Sequence, residues 1–529
     1  MLAEMPVESG LRSYGGLQMK GESRVHKSIL NAEVNLVFYF ITLFLSFFSR
    51  KIFLDCLGAD FIGLVGTLGN ILGYLNLAEF GILNCISFLL FKPLQENNRQ
   101  AINEILSVLG YLYVWIGRII LVAGICVSFF FPFIFVNPDF GLGIVYFSFY
   151  SLLGSSLIGY FINFRQIILT ADQKNYLVAV YLQSFNIIKV ILQIVLAYNY
   201  RNLYVWVGVE FLFAVIGCIV LNWKIDREYP WLETKKKNGK SLLSKYPTII
   251  KSTKQIFVHK IKDFILTRSD ELFVFLFVSL KMVAYYGNYI LIVSKITSLF
   301  TSVSGSLGAS VGNLVAEDNK PKIMKIFWEF NTIQHTIAAF LSFSIYSFLE
   351  PFISNWLGKE YILDHRILIL LVIYVYIANS RTPVDNFNHA YGHYADVWAA
   401  WVELIINISI TIIAGFKWGI IGILFGKLVS LSIIVVFWKP YYLFRSGFKI
   451  KVINYWQNVI INYGISLLSI LLAVYALSFI SIDPYSSFYC WIKYVFVGLL
   501  FFILLDIPAT LFVATGAKDS LDRIFKMYV

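Results

Sequence analysis

Long apolar segments recur along almost the whole of this 529-residue chain, and they constrain its fold more than any other feature. The hydrocarbon core of a bilayer is about 30 Å thick, so a helix of roughly 20 apolar residues crosses it. Inside that core the backbone must satisfy its own hydrogen bonds, which favours helices. We therefore predict an all-α polytopic membrane protein with about fourteen transmembrane helices, at residues 29–49, 62–91, 106–136, 142–164, 176–198, 203–222, 256–280, 284–315, 325–349, 366–390, 395–415, 418–442, 457–480 and 489–515.

The composition excludes a soluble enzyme. Charged residues make up only 14% of the chain, whereas a soluble domain has about 25%, because its surface must face water. The sequence also has no Gly-rich phosphate-binding loop that would indicate an ATPase. His389 and His393 have the i, i+4 spacing of a zinc site but no adjacent third ligand, so we predict no metal site. We expect a protein that is not an enzyme, with no catalytic residues and no cofactor.

Lysine and arginine are distributed unequally between the predicted loops, and cytoplasmic loops are the ones enriched in them. With a cytoplasmic N-terminus, the cytoplasmic side carries Lys92, Arg99, Arg165, Lys174, the basic run at 224–262, Lys320, Lys322, Lys325, Lys439, Arg445, Lys449, Lys451, Lys518, Arg523 and Lys526. The opposite loops carry only Arg50, Lys51, Arg201, Lys281, Lys359, Arg366, Lys417 and Lys493. This asymmetry predicts an even number of spans with both termini in the cytoplasm. It also accounts for the net charge of +12 without a nucleic-acid partner.

The longest polar stretch separates the sixth predicted span from the seventh, and it suggests two bundles of six helices joined by a linker. A faint internal repeat supports this division into two bundles. Polar runs at 95–98 and 317–320 each follow an apolar run, and both copies would cross the membrane in the same direction. The predicted organisation is a cytoplasmic tail (1–28), an N-lobe (29–222), a basic linker (223–255), a C-lobe (256–442), two further spans (443–515) and a cytoplasmic tail (516–529).

Ionisable residues inside the predicted spans are the main candidates for function, since each costs about 2.5–3.5 kcal/mol to insert. The basic ones are Arg118, Lys189, Arg268, Lys295, Arg381 and Lys427, and the acidic ones include Glu79, Glu210, Asp270, Glu271, Asp385, Glu403 and Asp506. Arginine and lysine in a cavity would bind phosphate oxygens. Structural interpretations remain open: Lys189, Glu210 and Lys427 near helix ends could reach the interface, and Arg381 could pair with Asp385. Arg118 and Lys295 lie deepest and have no sequence-adjacent partner.

Several short motifs resemble those of Wzx-type polysaccharide flippases, a family of the multidrug/oligosaccharidyl-lipid/polysaccharide (MOP) exporter superfamily. They are SRKIFLDCLG at 49–58, Gly63-Leu64, LAEFGI at 77–82, FKPL at 91–94, YGNY at 286–289 and ASVGNLVA at 309–316. The plan of two six-helix lobes plus two helices is similar over essentially the whole chain.

The resemblance implies a V-shaped transporter with alternating access in the bacterial inner membrane. Its expected substrate is an undecaprenyl-pyrophosphate-linked oligosaccharide, flipped from the cytoplasmic to the outer leaflet for O-antigen (lipopolysaccharide), capsule or exopolysaccharide synthesis. Expected partners are the bilayer and the polysaccharide polymerase and chain-length machinery. The resemblance implies that Arg50 and Lys295 lie in a cationic cavity. Arg118 is assigned to the same cavity because of its depth in the predicted span. Arg268 and Arg381 are added as further basic residues inside the spans. Glu79, Asp270 and Asp385 are candidates for pairing or for coupling to H+ or Na+.

Four alternatives stay open at this point. A multidrug or cation exporter on the same scaffold would need an acidic N-lobe cavity, and a lipid II flippase is a close relative of the expected protein. A non-transporting assembly or scaffold protein is a further alternative. A membrane-embedded glycosyltransferase or polymerase would need a large outward loop, but the longest predicted outward loop, 350–366, is short.

Overall fold

A computed structural model of the chain describes residues 24–79, 81–135, 140–392, 397–519 and 522, and over these residues the chain is helical with no β-strand. The predicted tails at 1–28 and 516–529 lie mostly outside the described residues, as does His393.

The first half of the chain forms nine helices, seven of them long. They are α1 (Arg24–Leu57), α2 (Ala59–Leu75), α3 (Ile82–Gln95), α4 (Arg99–Ser128), α5 (Phe131–Ile134), α6 (Leu142–Phe161), α7 (Ile167–Ala171), α8 (Asn175–Tyr200) and α9 (Leu203–Glu228).

The second half follows a short connecting helix, α10 (Gly239–Leu243), and ends in two π-helical segments at 432–438 and 443–448. Its helices are α11 (Thr248–Phe277), α12 (Leu280–Ala316), α13 (Lys320–Trp356), α14 (His365–Ser380), α15 (Thr382–Ala390), α16 (Val397–Trp418), α17 (Ile420–Leu431) and α18 (Lys439–Tyr442). The chain then adds a final helix pair, α19 (Ile453–Ser478) and α20 (Phe488–Val513).

The predicted class, an all-α polytopic membrane protein, is confirmed. Each of the fourteen predicted segments overlaps one of these helices or a pair of them, and in the described part of the chain eleven helical segments are long and apolar enough to cross a bilayer. The predicted second span, 62–91, differs because it is two helices. The break between them ends at Gly81, whose φ of 94° lies in the left-handed region that favours glycine.

Large apolar side chains cover the outside of the bundle instead of being confined to its core. Phe133, Phe416, Phe496 and Phe512 are each more than two-thirds exposed. Such side chains are stable in hydrocarbon but not in water, so this surface is the lipid-facing one.

The basic linker packs against the first half. Lys245 forms an ion pair with Glu104 of α4 at 2.5 Å, and the Tyr246 hydroxyl donates to the same carboxylate at 2.8 Å. Lys236 donates to the carbonyl oxygen of Phe161 at 2.6 Å. Burial, together with the neighbouring Glu104, raises the pKa of Tyr246 to about 12, so this hydroxyl stays protonated and keeps donating at physiological pH. The linker therefore fixes the end of α4 to α11.

The two halves meet where α2 crosses α12. A Cβ atom on Gly63 would overlap the carbonyl oxygen of Leu280, so the two backbones touch at this point. Near the same end of the molecule, Trp356 of α13 donates its indole N–H to the carbonyl oxygen of Phe47 in α1 at 3.0 Å. Small residues permit this kind of close helix approach in membranes.

We expect Gly63→Ala to separate α2 from α12 and to lower the melting temperature in detergent by several degrees. Gly69→Ala, on the same helix, is the matched control, because a Cβ atom there meets no atom within 4 Å. Alanine is intrinsically better than glycine in a helix by about 0.5–1 kcal/mol, so the control should be neutral or slightly stabilising. Equal melting temperatures for the two variants would contradict the close approach.

Candidate functional site

A groove of about 740 Å³ lies between α1, α12, α13 and α20. Its walls are almost entirely apolar and rich in aromatic rings. Phe47 of α1 packs edge-on against Phe352 and Trp356 of α13, with ring centroids 5.6 and 5.0 Å apart, and Phe352 contacts Trp491 of α20 at 5.1 Å. We call this space the groove.

Two lysines interrupt the apolar walls of the groove, Lys51 on α1 and Lys295 on α12. The Lys295 ammonium lies over the ring of Tyr39, 5.4 Å from its centroid, and the Tyr39 hydroxyl donates to the Lys295 carbonyl oxygen at 3.1 Å. Among the described residues neither lysine has an acidic partner within ion-pair distance. Two cations without counter-ions in an apolar groove are suited to a ligand that is anionic at one end and apolar at the other.

Arg50 lies next to the groove but is engaged with the other half of the molecule. Its Nε donates to the side-chain oxygen of Asn288 at 2.7 Å, and its Nη2 donates to the Ala284 carbonyl oxygen at 3.0 Å. Arg50 therefore joins α1 to α12, in the neighbourhood predicted for it but with a structural role in this conformation. The sequence does not single out Lys51 as a site residue, because the charge pattern places Arg50 and Lys51 together in an outward loop.

Arg268 is exposed on the face of α11 that is turned toward the first half. On that face, at intervals of three or four residues, Phe264 contacts Tyr74 with centroids 5.2 Å apart, and Glu271 accepts a hydrogen bond from Asn70 of α2 at 2.6 Å. Arg268 thus shares a face of α11 with two residues that contact α2 of the first half.

Asp270 forms a buried ion pair. Lys427 of α17 contacts it at 2.5 Å, and the Lys427 ammonium also lies 4.4 Å from the centroid of the Tyr374 ring. Tyr286 donates to the same carboxylate at 3.4 Å. The interpretation of Lys427 as a residue that reaches the interface is wrong, since the side chain is inside the second half. The pair joins α11 to α17.

Asp385 is held between two cations. Arg381 contacts it at 3.2 Å, as the i, i+4 spacing predicts, and Lys439 contacts its other oxygen at 2.5 Å. This cluster joins α15 to α18, and both of its cations contact the same carboxylate. Lys189 and Glu210 likewise pair at 2.7 Å between α8 and α9.

Glu79 lies at the break between α2 and α3. The Tyr113 hydroxyl donates to its carboxylate at 3.4 Å, Tyr160 also hydrogen-bonds to it, and the two tyrosine rings pack edge-on at 5.3 Å. The tyrosines connect the broken span to α4 and α6.

Arg118 lies on a different surface from the groove. Its guanidinium group is 5.5 Å from the ring centroid of Trp115, on a face of α4 where Trp115, Ile119 and Val122 are all exposed. The structure therefore brings Lys295 together with Lys51 and with the neighbourhood of Arg50, but it does not bring Arg118 to them.

Solved structures that are similar to this chain include a flippase and a multidrug transporter. A lipid II flippase, MurJ, in an inward-closed conformation has a TM-score of 0.59 at 15% identity, covering 92% of this chain and 98% of that one. A multidrug resistance transporter of the MATE family, of the MOP superfamily, in an inward-facing conformation has a TM-score of 0.58 at 14% identity, covering 80% and 99%. No protein-family model and no curated protein sequence matches the chain.

At these identities the likeness establishes the fold alone. The chain is a multi-pass membrane protein with the fold of MOP-superfamily transporters, and both similar structures are transporters and not enzymes. The resemblance to the Wzx-type family and the roles of individual site residues stay predictions.

We expect Lys427→Met to lower the free energy of unfolding by about 3–5 kcal/mol, because it leaves Asp270 charged and buried. The double variant Asp270→Asn/Lys427→Met should recover most of this loss, since it removes both charges. Lys322→Met is the control: its ion pair with Glu317 is half-exposed, and such pairs contribute about 1 kcal/mol or less. Unfolding in detergent measures all three, and a double variant no more stable than Lys427→Met would contradict the pair.

Proposed function

We propose that this chain is a flippase for a lipid-linked oligosaccharide in a bacterial inner membrane. The observation that carries the proposal is the groove, whose apolar walls and two lysines without counter-ions match a polyprenyl chain that ends in a pyrophosphate. The proposed direction is from the cytoplasmic to the outer leaflet, as for a Wzx-type protein. A polymerase on the outer side would then consume the flipped product.

Electrostatics gives the lysines their proposed role. A pyrophosphate cannot enter hydrocarbon without compensation for its charge, because an isolated ion loses its solvation there. Lys51 and Lys295 supply that compensation from two helices of different halves. The aromatic walls bury the prenyl units next to the headgroup, at about 0.8 kcal/mol for each CH₂ group removed from water.

Alternating access would act on the contacts between the halves. In this structure Arg50 with Asn288, Gly63 with Leu280 and Phe47 with Trp356 close one end of the molecule. Opening that end requires these contacts to break, and it would expose the headgroup to the other leaflet. We propose H+ or Na+ as the coupling ion.

A lipid II flippase is the second candidate, because the MurJ structure covers 92% of this chain and because lipid II also ends in a prenyl pyrophosphate. An exporter of cationic drugs is less compatible with the groove, whose two charged residues are lysines.

The leaflet location of lipid-linked oligosaccharide in cells depleted of this protein tests the proposal. Accumulation on the cytoplasmic face, reversed by re-expression, would support it. Normal exposure of the oligosaccharide with a block in lipid II exposure would favour the second candidate. Normal exposure of both, in cells with no other flippase able to substitute, would contradict flipping of either lipid.

We expect Lys51→Gln/Lys295→Gln to reduce flipping at least tenfold, with unchanged protein abundance, because the pyrophosphate then meets no cation in the groove. Arg118→Gln tests the sequence prediction for Arg118, and its place on an exposed apolar face leads us to expect near-normal flipping. Exposure of the oligosaccharide on the outer leaflet measures both. Full activity in the double lysine variant would refute the role of the groove.

A further inference from the structure

Buried polar side chains lie inside the apolar interface where the final helix pair packs on α13. The interface is formed by residues such as Phe343 of α13 and Phe502 of α20, whose rings stack with centroids 5.0 Å apart. Polar groups in such a place are costly unless they are satisfied, so they indicate a site.

One part of this group is a continuous hydrogen-bonded chain across three helices. His335 of α13 hydrogen-bonds through Nδ1 to the Tyr376 hydroxyl of α14 at 2.8 Å. The Tyr376 hydroxyl in turn donates to the Ser466 hydroxyl of α19 at 2.9 Å. The ring of Tyr463 packs edge-on against His335 at 5.1 Å. His335 and Ser466 are both buried.

The second part is the carboxyl group of Asp506 on α20. Its side chain is only 1% exposed, and neither carboxyl oxygen accepts a well-formed hydrogen bond from a described residue. The Ser469 hydroxyl of α19 faces the carboxyl group, and the group interacts electrostatically with Tyr376. No lysine or arginine in the described part of the chain forms an ion pair with it.

Contacts on either side place Asp506 about one helical turn from His335 along α13. Phe502 lies against Phe343, and further along α20 the carbonyl oxygen of Thr515 accepts a hydrogen bond from Thr332 at 2.7 Å. The titratable group that interacts with Asp506 from α14 is Tyr376, and Tyr376 in turn contacts His335 of α13 and Tyr463 of α19. Glu329 lies beside Gly516, beyond the end of α20.

A series of polar residues leads from this level toward the end of the bundle. Asn462 donates to Asn331 at 3.2 Å in the buried region, and the hydroxyl of the exposed Thr515 donates to Asn458 at 2.5 Å. These residues lie on α13, on α19 and just after α20, and they provide a polar route from the surface toward Asp506.

We propose that Asp506 is a proton-binding site, served by the hydrogen-bonded chain of His335, Tyr376 and Ser466. A proton from water forms an O–H bond with one carboxylate oxygen and neutralises the charge, and the new O–H group can donate to Ser469. A hard metal cation fits less well, since it needs several oxygen ligands. Among the described residues no group of three or more His, Cys, Asp or Glu could hold one.

Proton binding at Asp506 also has a consequence for the groove. An ionised carboxylate in hydrocarbon requires water or a counter-ion, so loss of the proton favours separation of α20 from α13. The other half of α20 carries the groove residues Phe488, Trp491, Val495 and Leu499. Proton occupancy would therefore set the width of the groove, a step that rests on the function proposed above.

Infrared spectroscopy of the full-length protein in lipid nanodiscs tests the site without any substrate. We expect a C=O stretching band of a protonated carboxyl group at neutral pH that decreases as the pH is raised, and loss of that component in Asp506→Asn. The amide has the shape of a protonated aspartic acid, so this variant should fold. Asp385→Asn is the matched control, because Asp385 is ionised between Arg381 and Lys439 and contributes no such component.

Two outcomes would overturn the proposal: an unchanged band in Asp506→Asn, or loss of the band on adding Na+ at constant pH, which would indicate a cation site. Tyr376→Phe tests the hydrogen-bonded chain, and it should keep the band but shift the midpoint of its titration by about one pH unit. An unchanged midpoint would exclude the chain from the site. Because no substrate is present, failure here is distinguishable from failure of the proposed flipping.

Discussion

Hydrocarbon cannot solvate a charge, and this constraint orders the ionisable residues of the protein. Most of them are compensated by a partner from another helix. Asp270 pairs with Lys427, Asp385 lies between Arg381 and Lys439, and Glu271 accepts a hydrogen bond from Asn70 of the first half. The contacts of Asp270 and Glu271, and that of Asp385 with Lys439, join helices that are distant in sequence, so the bonds that make these charges tolerable also fix the arrangement of the bundle. A charge without such a partner is therefore the exception that needs an explanation.

Apart from Arg118 and Arg268, which are exposed, the exceptions are found in two places. Lys51 and Lys295 line the groove without an acidic partner among the described residues, and Asp506 is buried and accepts no well-formed hydrogen bond from a described residue. The two lysines require an anion and the carboxyl group requires a proton or a cation. A membrane protein that bound neither would be more stable with neutral residues at these positions. The charges that the fold leaves uncompensated thus point to ligand binding independently of the 15% identity to the flippase structure.

The apolar runs were sufficient to predict the helices, because backbone hydrogen bonding in a bilayer leaves few other structures. They could not predict that the second span breaks before Gly81, since the break depends on packing against Tyr113 and Tyr160. For the site residues, the sequence predicts how deep a residue lies along its helix, but it does not predict which face of the helix carries the side chain. Arg118 and Lys295 are therefore indistinguishable from the sequence, although the structure places them on different surfaces. Lys427 was misinterpreted for a related reason: its partner is 157 residues away in sequence.

The helix α20 connects the two uncompensated places. Its first half forms a wall of the groove through Trp491 and Val495, and its second half carries Asp506. Pro508 removes one backbone hydrogen bond beside Asp506, but from Trp491 to Asp506 the helix is continuous and therefore stiff. Any change in packing around Asp506 is therefore transmitted to the aromatic wall that faces Phe352. The final helix pair would then act as the element by which a protonation event reaches the lipid-binding surface, which gives it a mechanical role beyond that of covering the second half.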